Sequence, residues 1–445
     1  MQEIFISELK EKVEKAKRVC VFGGGSTGSA LIRFFQKRNI NSILIDKNPM
    51  KLEFPAFTDS VDLKDLPEFE FLIKSPGISP DHKLLHECRE KKIPILSEIS
   101  LARLYFEGKI LGITGTDGKS TTTALTHHIL SNTELKTAMG GNIGIPFIDF
   151  CEEKLDLVVL ELSSYQLEDS LPLHLSASAY LNLANDHLER HKTLENYHKA
   201  KCKIASFDRE EHIFVVNEKL LSRLDLNEIK CKVYPFGRSK ESSARINVEK
   251  NYIQTNSFEY SLEKFPLFGE HNIENLSASI LLCEAFGCKP EEIENSYSNF
   301  NGLNYRFQQV HTHRNAIFIN DSKSTNLHSM LSGIKGFVRS DSLVFILGGR
   351  PKQESIQPLI DRMKELSPKC IYIYGEAREI WSEANKIENV VRVTDPIQAL
   401  ENLKSKWESL DPEYIIFSPA CASFDIYKNF EERGKIFTEA VRSIF

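Results

Sequence analysis

The chain has 445 residues, of which 41% are hydrophobic and 27% are charged, and its formal net charge is −6 at pH 7. This composition is ordinary for a globular protein, and the length predicts two or three domains rather than one core. The small acidic excess excludes a global basic field for nucleic acid, and no apolar run approaches the length of a membrane span.

The N-terminal run MQEIFISELKEKVEKAKR lacks the apolar segment of a signal peptide. The nine cysteines are scattered, and their odd number argues against a disulfide framework. The pair Cys283 and Cys288 lacks metal-ligand spacing, and the thirteen histidines form no zinc pattern. These features predict a reducing, cytoplasmic compartment.

A first block, residues 1–98, alternates apolar runs with amphipathic segments. Its predicted elements are strands at Arg18–Phe22, 42–46, 71–74 and 94–96 and a helix near Ser26–Gln36. Such alternation predicts an open α/β sheet that is mostly parallel, with ligands at the carboxyl ends of its strands.

The turn after the first strand, GGGSTG at residues 23–28, contains G-x-G-x-x-G, and Asp46 ends the next strand. This spacing is typical of dinucleotide binding, in which the turn holds a phosphate and the acidic residue holds a ribose. It does not identify the ligand as NAD, and a purely structural turn stays an alternative.

The second block, residues 99–302, repeats the alternation. Its predicted elements are a strand that ends at Thr114, strands near 157–162, 179–183 and 213–216, hairpins within 244–265, and a helix after His271.

The sharpest local motif is GTDGKST at residues 115–121, which follows a strand and opens a helix. Backbone N–H groups in such a loop cradle phosphates, Lys119 would reach the β- and γ-phosphates, and Ser120 would bind Mg²⁺. The loop is two residues shorter than the common Walker A spacing, so a glycine-rich turn without a ligand is the alternative. Glu161 ends an apolar strand, where nucleotide-binding sheets place a magnesium carboxylate.

The third block, from about Leu303, contains further strands separated by helices. They are predicted at Ala316–Asn320, 342–347, Cys370–Tyr374, 390–393 and 414–418. An oxidoreductase would need only the first glycine-rich turn, whereas an ATP-dependent enzyme that acts on a nucleotide-linked substrate would need both turns.

The order of the motifs along the whole chain resembles that of the Mur ligase family. The shared motifs are TGTDGKSTT (114–122), GNIG (141–144), ELSSYQLE (161–168), NDHLERH (185–191), YHKAK (197–201), HNIEN (271–275), LNYRF (303–307) and NDSKSTN (320–326), and SPGIS (75–79) with the short first block agrees with the branch named next. The run SPACASFDIYKNFEERG (418–434) resembles the branch of the family that adds D-glutamate.

The resemblance implies a three-domain α/β architecture with Rossmann-like terminal domains: a UDP-substrate domain (1–98), a central P-loop ATPase domain (99–302) and an amino-acid domain (303–445). The implied reaction is ATP-dependent addition of D-glutamate to UDP-N-acetylmuramoyl-L-alanine through an acyl phosphate, in cytoplasmic peptidoglycan synthesis. A monomer with no nucleic-acid or membrane partner is expected.

The resemblance also assigns site residues. Those implied for the UDP moiety are Ser26, Thr27, Asp46, Ser75 and Gly77. Those implied for the rest of that substrate are Asn142, Ser163 and Gln166, and for D-glutamate Thr325, Lys352, Ser423 and Phe430. Those implied for ATP are Gly115, Thr116, Asp117, Gly118, Lys119, Ser120, Thr121, Asn272, Asn275, Arg306 and Asp321.

Two Mg²⁺ ions are implied, one held by Ser120 and Glu161 and the other by His187 and a carbamylated Lys201. The implied catalytic residues are Lys119, His187, Lys201 and Lys323. The chain departs from the family's usual residues at Asp117, Asn48 and His191.

Other functions fit parts of the pattern. A sibling ligase or a folylpolyglutamate-type ligase would lack the 418–434 run and the short first block. A nucleotide-binding regulator would not need Glu161, His187 and Lys201 together, and an NAD-dependent oxidoreductase would carry a bound nicotinamide.

Overall fold

The computed structural model describes residues 2–48, 54–205, 209–225, 229–267, 269–338, 342–352 and 355–445. The chain divides into two compact units, residues 1–300 and 301–445. None of the described helices is long and apolar enough to cross a lipid bilayer.

The first sheet has five parallel strands in the order β3-β2-β1-β4-β5. They are β1 Arg18–Phe22, β2 Asn41–Asp46, β3 Ala56–Thr58, β4 Phe71–Lys74 and β5 Ile95–Ser97, with helices α1 Gln2–Lys15, α2 Ser26–Gln36, α3 Lys83–Glu90 and α4 Glu98–Tyr105. Strand order reverses between β1 and β4, so the loops that follow these two strands border a crevice. This sheet confirms the predicted parallel α/β block.

The second sheet has nine strands in the order β14-β13-β12-β11-β10-β9-β6-β8-β7. They are β6 Lys109–Thr114, β7 Thr137–Gly141, β8 Leu157–Glu161, β9 Ala177–Tyr180, β10 Ile213–Asn217, β11 Lys232–Gly237, β12 Ala244–Asn247, β13 Tyr252–Gln254 and β14 Glu259–Ser261. The helices are α5 Lys119–Ser131, α6 Ser164–Glu168, α7 Leu188–His191, α8 Leu194–Cys202, α9 Glu270–Ala285 and α10 Pro290–Ser298.

Strands β12 to β14 form the antiparallel addition predicted within 244–265. The strand predicted at 179–183 is wrong by about two residues, because β9 ends at Tyr180 and the chain turns there toward the phosphate loop.

The first and second sheets share one apolar core, in which Phe34 of α2 contacts the ring of Tyr105 of α4. Two ion pairs at the edge of this core connect residues 33–38 to the 3-10 helix Phe147–Glu152. Arg33 pairs with Asp149 and Arg38 pairs with Glu152, each at 2.8 Å. The core and the ion pairs explain why residues 1–300 form one compact unit.

The second unit is built on a six-stranded sheet in the order β15-β16-β20-β17-β18-β19, in which the β15–β16 pair is antiparallel and the other pairs of described strands are parallel. The strands are β15 Gln308–His313, β16 Ala316–Asn320, β17 Leu343–Gly348, β18 Cys370–Tyr374, β19 Val390–Arg392 and β20 Tyr414–Ala420. The helices are α11 Leu327–Gly333, α12 Gln357–Leu366, α13 Ala377–Ile380, α14 Pro396–Ser405, α15 Trp407–Leu410 and α16 Phe430–Ile444. Apolar clusters cover both faces of this sheet.

Candidate active site

The phosphate loop connects the central strand β6 to α5, as the sequence predicts. Asn182 holds it in shape: its Oδ1 accepts the backbone N–H groups of Thr116 at 3.0 Å and Asp117 at 2.8 Å, and its Nδ2 donates to the Asp117 carbonyl at 3.1 Å. Asn182 could not be singled out from the sequence, because one asparagine after a strand is not a motif. The first turn of α5, with Thr121, directs its N–H groups at the loop.

Gly118 precedes α5 with a φ of 80°, and a Cβ at this position would lie 2.3 Å from Asn275 Oδ1. Asn275 also donates from Nδ2 to Asn272 Oδ1 at 3.1 Å, and both asparagines are buried near the start of α9. The structure therefore brings the two asparagines that were predicted to bind ATP to the phosphate loop.

A buried carboxylate lies beside the start of α5. Ser120 Oγ donates to Glu161 Oε2 at 2.5 Å, and Asn142 Nδ2 donates to Glu161 Oε1 at 2.7 Å. The Glu161 side chain is only 3% exposed. Because hydroxyl and carboxylate oxygens are hard donors, this group suits Mg²⁺ next to a bound triphosphate.

The Nζ atoms of two lysines converge on the Gly115 carbonyl, Lys119 at 3.0 Å and Lys201 at 2.6 Å. Lys201 is 1% exposed, and burial lowers its pKa well below the usual lysine value. The charge of Lys119 lowers that pKa further, whereas the carboxylates of Asp186, Asp117 and Glu161 oppose the shift. Lys201 therefore favours the neutral amine more than an exposed lysine does.

His187 precedes α7 in the left-handed region, at φ 53°. Its Nδ1 lies 3.1 Å from the Tyr165 hydroxyl, and its Nε2 lies 3.4 Å from Asp186. In the described residues no three His, Cys, Asp or Glu side chains are arranged to hold a metal. A metal site that includes a modified lysine is not covered by this statement, because it takes one of its ligands from a different residue type.

The side chains of Ser163 and Gln166 form a capping box at the start of α6. Gln166 Oε1 accepts the Ser163 backbone N–H at 3.0 Å, and Ser163 Oγ accepts the Gln166 N–H at 3.2 Å. These residues, predicted to bind substrate, thus also fix the helix that follows Glu161.

The residues predicted for UDP meet at the carboxyl ends of β1, β2 and β4. Asp46 accepts the Gly24 N–H at 2.7 Å and the Asn48 N–H at 2.9 Å, and these bonds lower its pKa. Ser75 Oγ donates to the Gly23 carbonyl at 3.3 Å. Also at this edge are Ser26, Thr27 and Gly77, which begin α2 or lie in the loop after β4.

In the second unit, Asp321 ties the loop after β16 to its neighbours. Its Oδ2 accepts the hydroxyls of Ser324 and Ser418, each at 2.6 Å, and its Oδ1 accepts the Phe307 N–H at 3.2 Å. Burial raises the pKa of Asp321 to about 6, against the effect of these hydrogen bonds.

The residues predicted for D-glutamate and its reaction are distributed over the loops of this sheet. Lys323 lies 3.9 Å from the centroid of the Phe430 ring. Ser423 is buried, Thr325 is half-buried and Lys352 is exposed.

Arg306, which was predicted to bind ATP, lies in the loop before β15, where its backbone N–H donates to the Leu303 carbonyl at 3.2 Å.

Arg433, known from the sequence only as part of the 418–434 run, connects two of these loops. Its fully buried guanidinium donates to Ser322 Oγ at 2.9 Å, the Ser322 carbonyl at 2.7 Å and the Cys421 carbonyl at 2.9 Å. It therefore holds the loop of Lys323 against the loop of Ser423.

Replacement of Arg433 by alanine is expected to lower the free energy of unfolding of the second unit by about 3 kcal/mol, since buried hydrogen bonds to a charged group are lost and their acceptors stay buried. Chemical denaturation of the full chain measures this change. Arg442→Ala, an exposed position on the same helix, is the control and should change stability little. Equal effects of the two variants would contradict the assigned role of Arg433.

The fold and the site together define a class of protein. The second sheet is mostly parallel and carries a phosphate loop with a buried carboxylate beside it, and the adjoining sheet carries a second glycine-rich turn. This combination is typical of enzymes that use a nucleoside triphosphate and bind a second phosphate-bearing ligand.

Comparison with known proteins gives the family. Residues 113–283 match the Mur ligase middle domain. The chain is 45% identical over 453 residues to the UDP-N-acetylmuramoylalanine–D-glutamate ligase of Leptospira interrogans, with 96% of each chain covered. It is 31% identical to the ligase of the same name from Syntrophus aciditrophicus, covering 96% of this chain and 98% of that one. The chain belongs to the Mur ligase family.

Solved structures agree with this fold. The UDP-N-acetylmuramate–alanine ligase of Thermotoga maritima matches with a TM-score of 0.59 at 19% identity, covering 96% of this chain and 99% of that one. A MurF ligase of Acinetobacter baumannii matches with a TM-score of 0.58 at 15% identity, covering 95% and 93%. At these identities the likeness establishes the fold alone.

Proposed function

We propose that this chain joins D-glutamate to UDP-N-acetylmuramoyl-L-alanine at the expense of ATP, as a step in peptidoglycan precursor synthesis. The observation that carries the chemistry is the convergence of Lys119, Lys201 and the Ser120–Glu161 pair at one phosphate loop. The choice of substrates is inferred from the relatives of that name, which match nearly the full length of the chain.

The proposed reaction activates a carboxylate, which is a poor acyl donor. Its oxygen attacks the γ-phosphorus of ATP, ADP leaves, and an acyl phosphate forms. The amine of D-glutamate then attacks the acyl carbon, and the tetrahedral intermediate expels phosphate to leave the amide. Because the first step joins two anions, it depends on fixed positive charge, and this role is assigned to Lys119 and Lys323.

The donor atoms at the loop fit magnesium. Ser120 and Glu161 would hold one ion beside ATP, and His187 with a carbamylated Lys201 would hold a second. When bound, Mg²⁺ neutralises charge on the phosphoryl oxygens. The burial of Lys201 supports the modification, because a neutral amine attacks CO₂ and an ammonium does not.

The remaining assignments follow the same sites. The UDP moiety would bind at Ser26, Thr27, Asp46, Ser75 and Gly77, and the acyl end of that substrate near Asn142, Ser163 and Gln166. Asn272, Asn275, Arg306 and Asp321 would bind ATP, and Thr325, Lys352, Ser423 and Phe430 would bind D-glutamate. The three sheets support domains at 1–98, 99–302 and 303–445. The proposed enzyme is a monomer that works in the cytoplasm, and the nine free cysteines agree with a reducing compartment.

The test is phosphate release from ATP in the presence of Mg²⁺ and UDP-N-acetylmuramoyl-L-alanine, screened across D- and L-amino acids. D-glutamate is expected to support turnover well above every other amino acid. Preference for a different amino acid would assign the chain to another branch of the family. Nicotinamide absorbance from the purified protein would instead favour an oxidoreductase.

A further inference from the structure

A cluster of four charges with two buried cations, Lys74 and Arg190, joins the first sheet to the second within the first unit. Lys74 Nζ lies 2.5 Å from Asp169 Oδ2, and Arg190 lies 2.9 Å from Glu168 and 3.3 Å from Asp169. The Lys74 side chain is 3% exposed and that of Arg190 is 9% exposed. Two cations and two anions balance, which offsets the cost of burying Lys74 and Arg190, while the Glu168 side chain stays 33% exposed.

The two cations of this cluster also donate hydrogen bonds to the loop after β4, residues 75–79. Arg190 donates from its guanidinium to the carbonyls of Pro76 at 3.2 Å and Ile78 at 3.0 Å, and Lys74 donates to the Ile78 carbonyl at 2.8 Å. These carbonyls flank Gly77 and lie within three residues of Ser75. Loop 75–79 therefore takes its position from α7 as well as from its own sheet.

Arg190 also contacts a residue that supports His187, close to the phosphate loop. It follows His187 by three residues, and its guanidinium lies 4.5 Å from the centroid of the Tyr165 ring. The Tyr165 hydroxyl contacts His187 Nδ1 at 3.1 Å. The Arg190 side chain thus contacts both loop 75–79 and Tyr165, the residue that contacts His187.

We infer that Arg190 is a positioning residue, which sets loop 75–79 at a fixed distance from the reacting groups around His187. This inference rests on the proposed function, since it takes loop 75–79 to hold the nucleotide end of UDP-N-acetylmuramoyl-L-alanine. A planar guanidinium serves this purpose better than an ammonium, because it reaches two carbonyls and two carboxylates in one plane.

The test compares Arg190→Gln and Arg190→Lys with Arg33→Gln. Arg33 pairs with Asp149 between the same two sheets but away from loop 75–79, so it reports the loss of an inter-sheet ion pair alone. For each variant, steady-state kinetics give kcat and the KM values for UDP-N-acetylmuramoyl-L-alanine and ATP. Titration calorimetry gives the Kd for the UDP substrate without ATP, and thermal unfolding gives Tm.

Arg190→Gln is expected to raise both the Kd and the KM for the UDP substrate by roughly tenfold while the KM for ATP changes little, because loop 75–79 loses its two hydrogen bonds from Arg190 whereas the phosphate loop keeps its bonds to Asn182. Arg190→Lys should fall between this variant and the wild type, and it replaces Arg190→Gln if that variant does not fold. Arg33→Gln should leave both KM values unchanged.

A lower Tm for Arg190→Gln or Arg190→Lys with unchanged Kd and KM would reduce Arg190 to a structural ion pair and overturn the inference. So would an equal rise in both KM values. A wild-type chain that neither binds nor turns over UDP-N-acetylmuramoyl-L-alanine would instead overturn the proposed function, and the inference with it.

Discussion

Replacement of Lys119 by alanine is expected to lower the rate of phosphate release by roughly 10³-fold or more, since two anionic reactants lose the cation they share. In the structure the Lys119 ammonium lies on the carbonyls of Gly115 and Thr116, at 3.0 and 2.7 Å, which places it inside the loop that would enclose the phosphates. Steady-state assay of phosphate release under saturating ATP measures the loss.

The fold should survive this substitution, because the loop keeps its bonds to Asn182 and α5 keeps its buried face. Lys109→Ala is the matched control: it removes an exposed lysine from the start of β6, the strand that leads into the loop. Near-native turnover by Lys119→Ala would refute the assignment. Loss of activity with an equal loss of binding of the UDP substrate would point to general disruption instead.

Strands that are apolar on both faces could be predicted from the sequence. The cores of β1, β4, β8 and β17 are continuous buried runs, and each was predicted within a residue or two. Short or polar edge strands carry no such signal.

Four strands were missed for identifiable reasons. β3 has three partly exposed residues, β7 contains two glycines, β11 contains Pro235, and β15 is a polar edge strand with the sequence QQVHTH. Pairing with neighbours distant in sequence stabilises these strands, and no local pattern reports it.

Residues of the candidate site also differ in whether a local sequence pattern reveals them. Residues within contiguous motifs, such as Lys119 and Ser120, could be found because strand, loop and helix occur in a fixed order. Asn182, Arg190 and Arg433 act through backbone carbonyls and N–H groups of other segments. The sequence alone does not say which segments meet, so their roles emerge only from the fold.

Lys201→Ala is expected to lower activity by roughly 10²-fold or more, because the variant loses the carbamate that we propose as an oxygen ligand for magnesium. The buried amine lies at the phosphate loop, 2.6 Å from the Gly115 carbonyl, whereas Lys203 is exposed and its Nζ lies 2.5 Å from the Glu168 carbonyl. Lys203→Ala is therefore the control, and it should lose little activity.

The modification itself has a readout that does not depend on turnover. Protein equilibrated with ¹³C-labelled bicarbonate should show a carbamate carbon resonance that Lys201→Ala lacks and Lys203→Ala keeps. The charges around Lys201 add a further expectation. Carboxylates of Asp186, Asp117 and Glu161 act on this lysine, so an anionic carbamate is repelled unless a cation is present. The resonance should therefore strengthen when Mg²⁺ is added.

A short carboxylic acid should partly restore the activity of Lys201→Ala, because it can occupy the vacated space and return oxygen donors to the metal. Rescue must also depend on the size of the acid, since the space is enclosed: Lys201 is 1% exposed, and its ammonium lies 4.5 Å from the centroid of the Tyr197 ring. Formate or acetate should therefore be more effective than a branched acid, and neither should affect Lys119→Ala. Full activity of Lys201→Ala in bicarbonate-free buffer would refute the proposal, because no ligand from this position would then be needed.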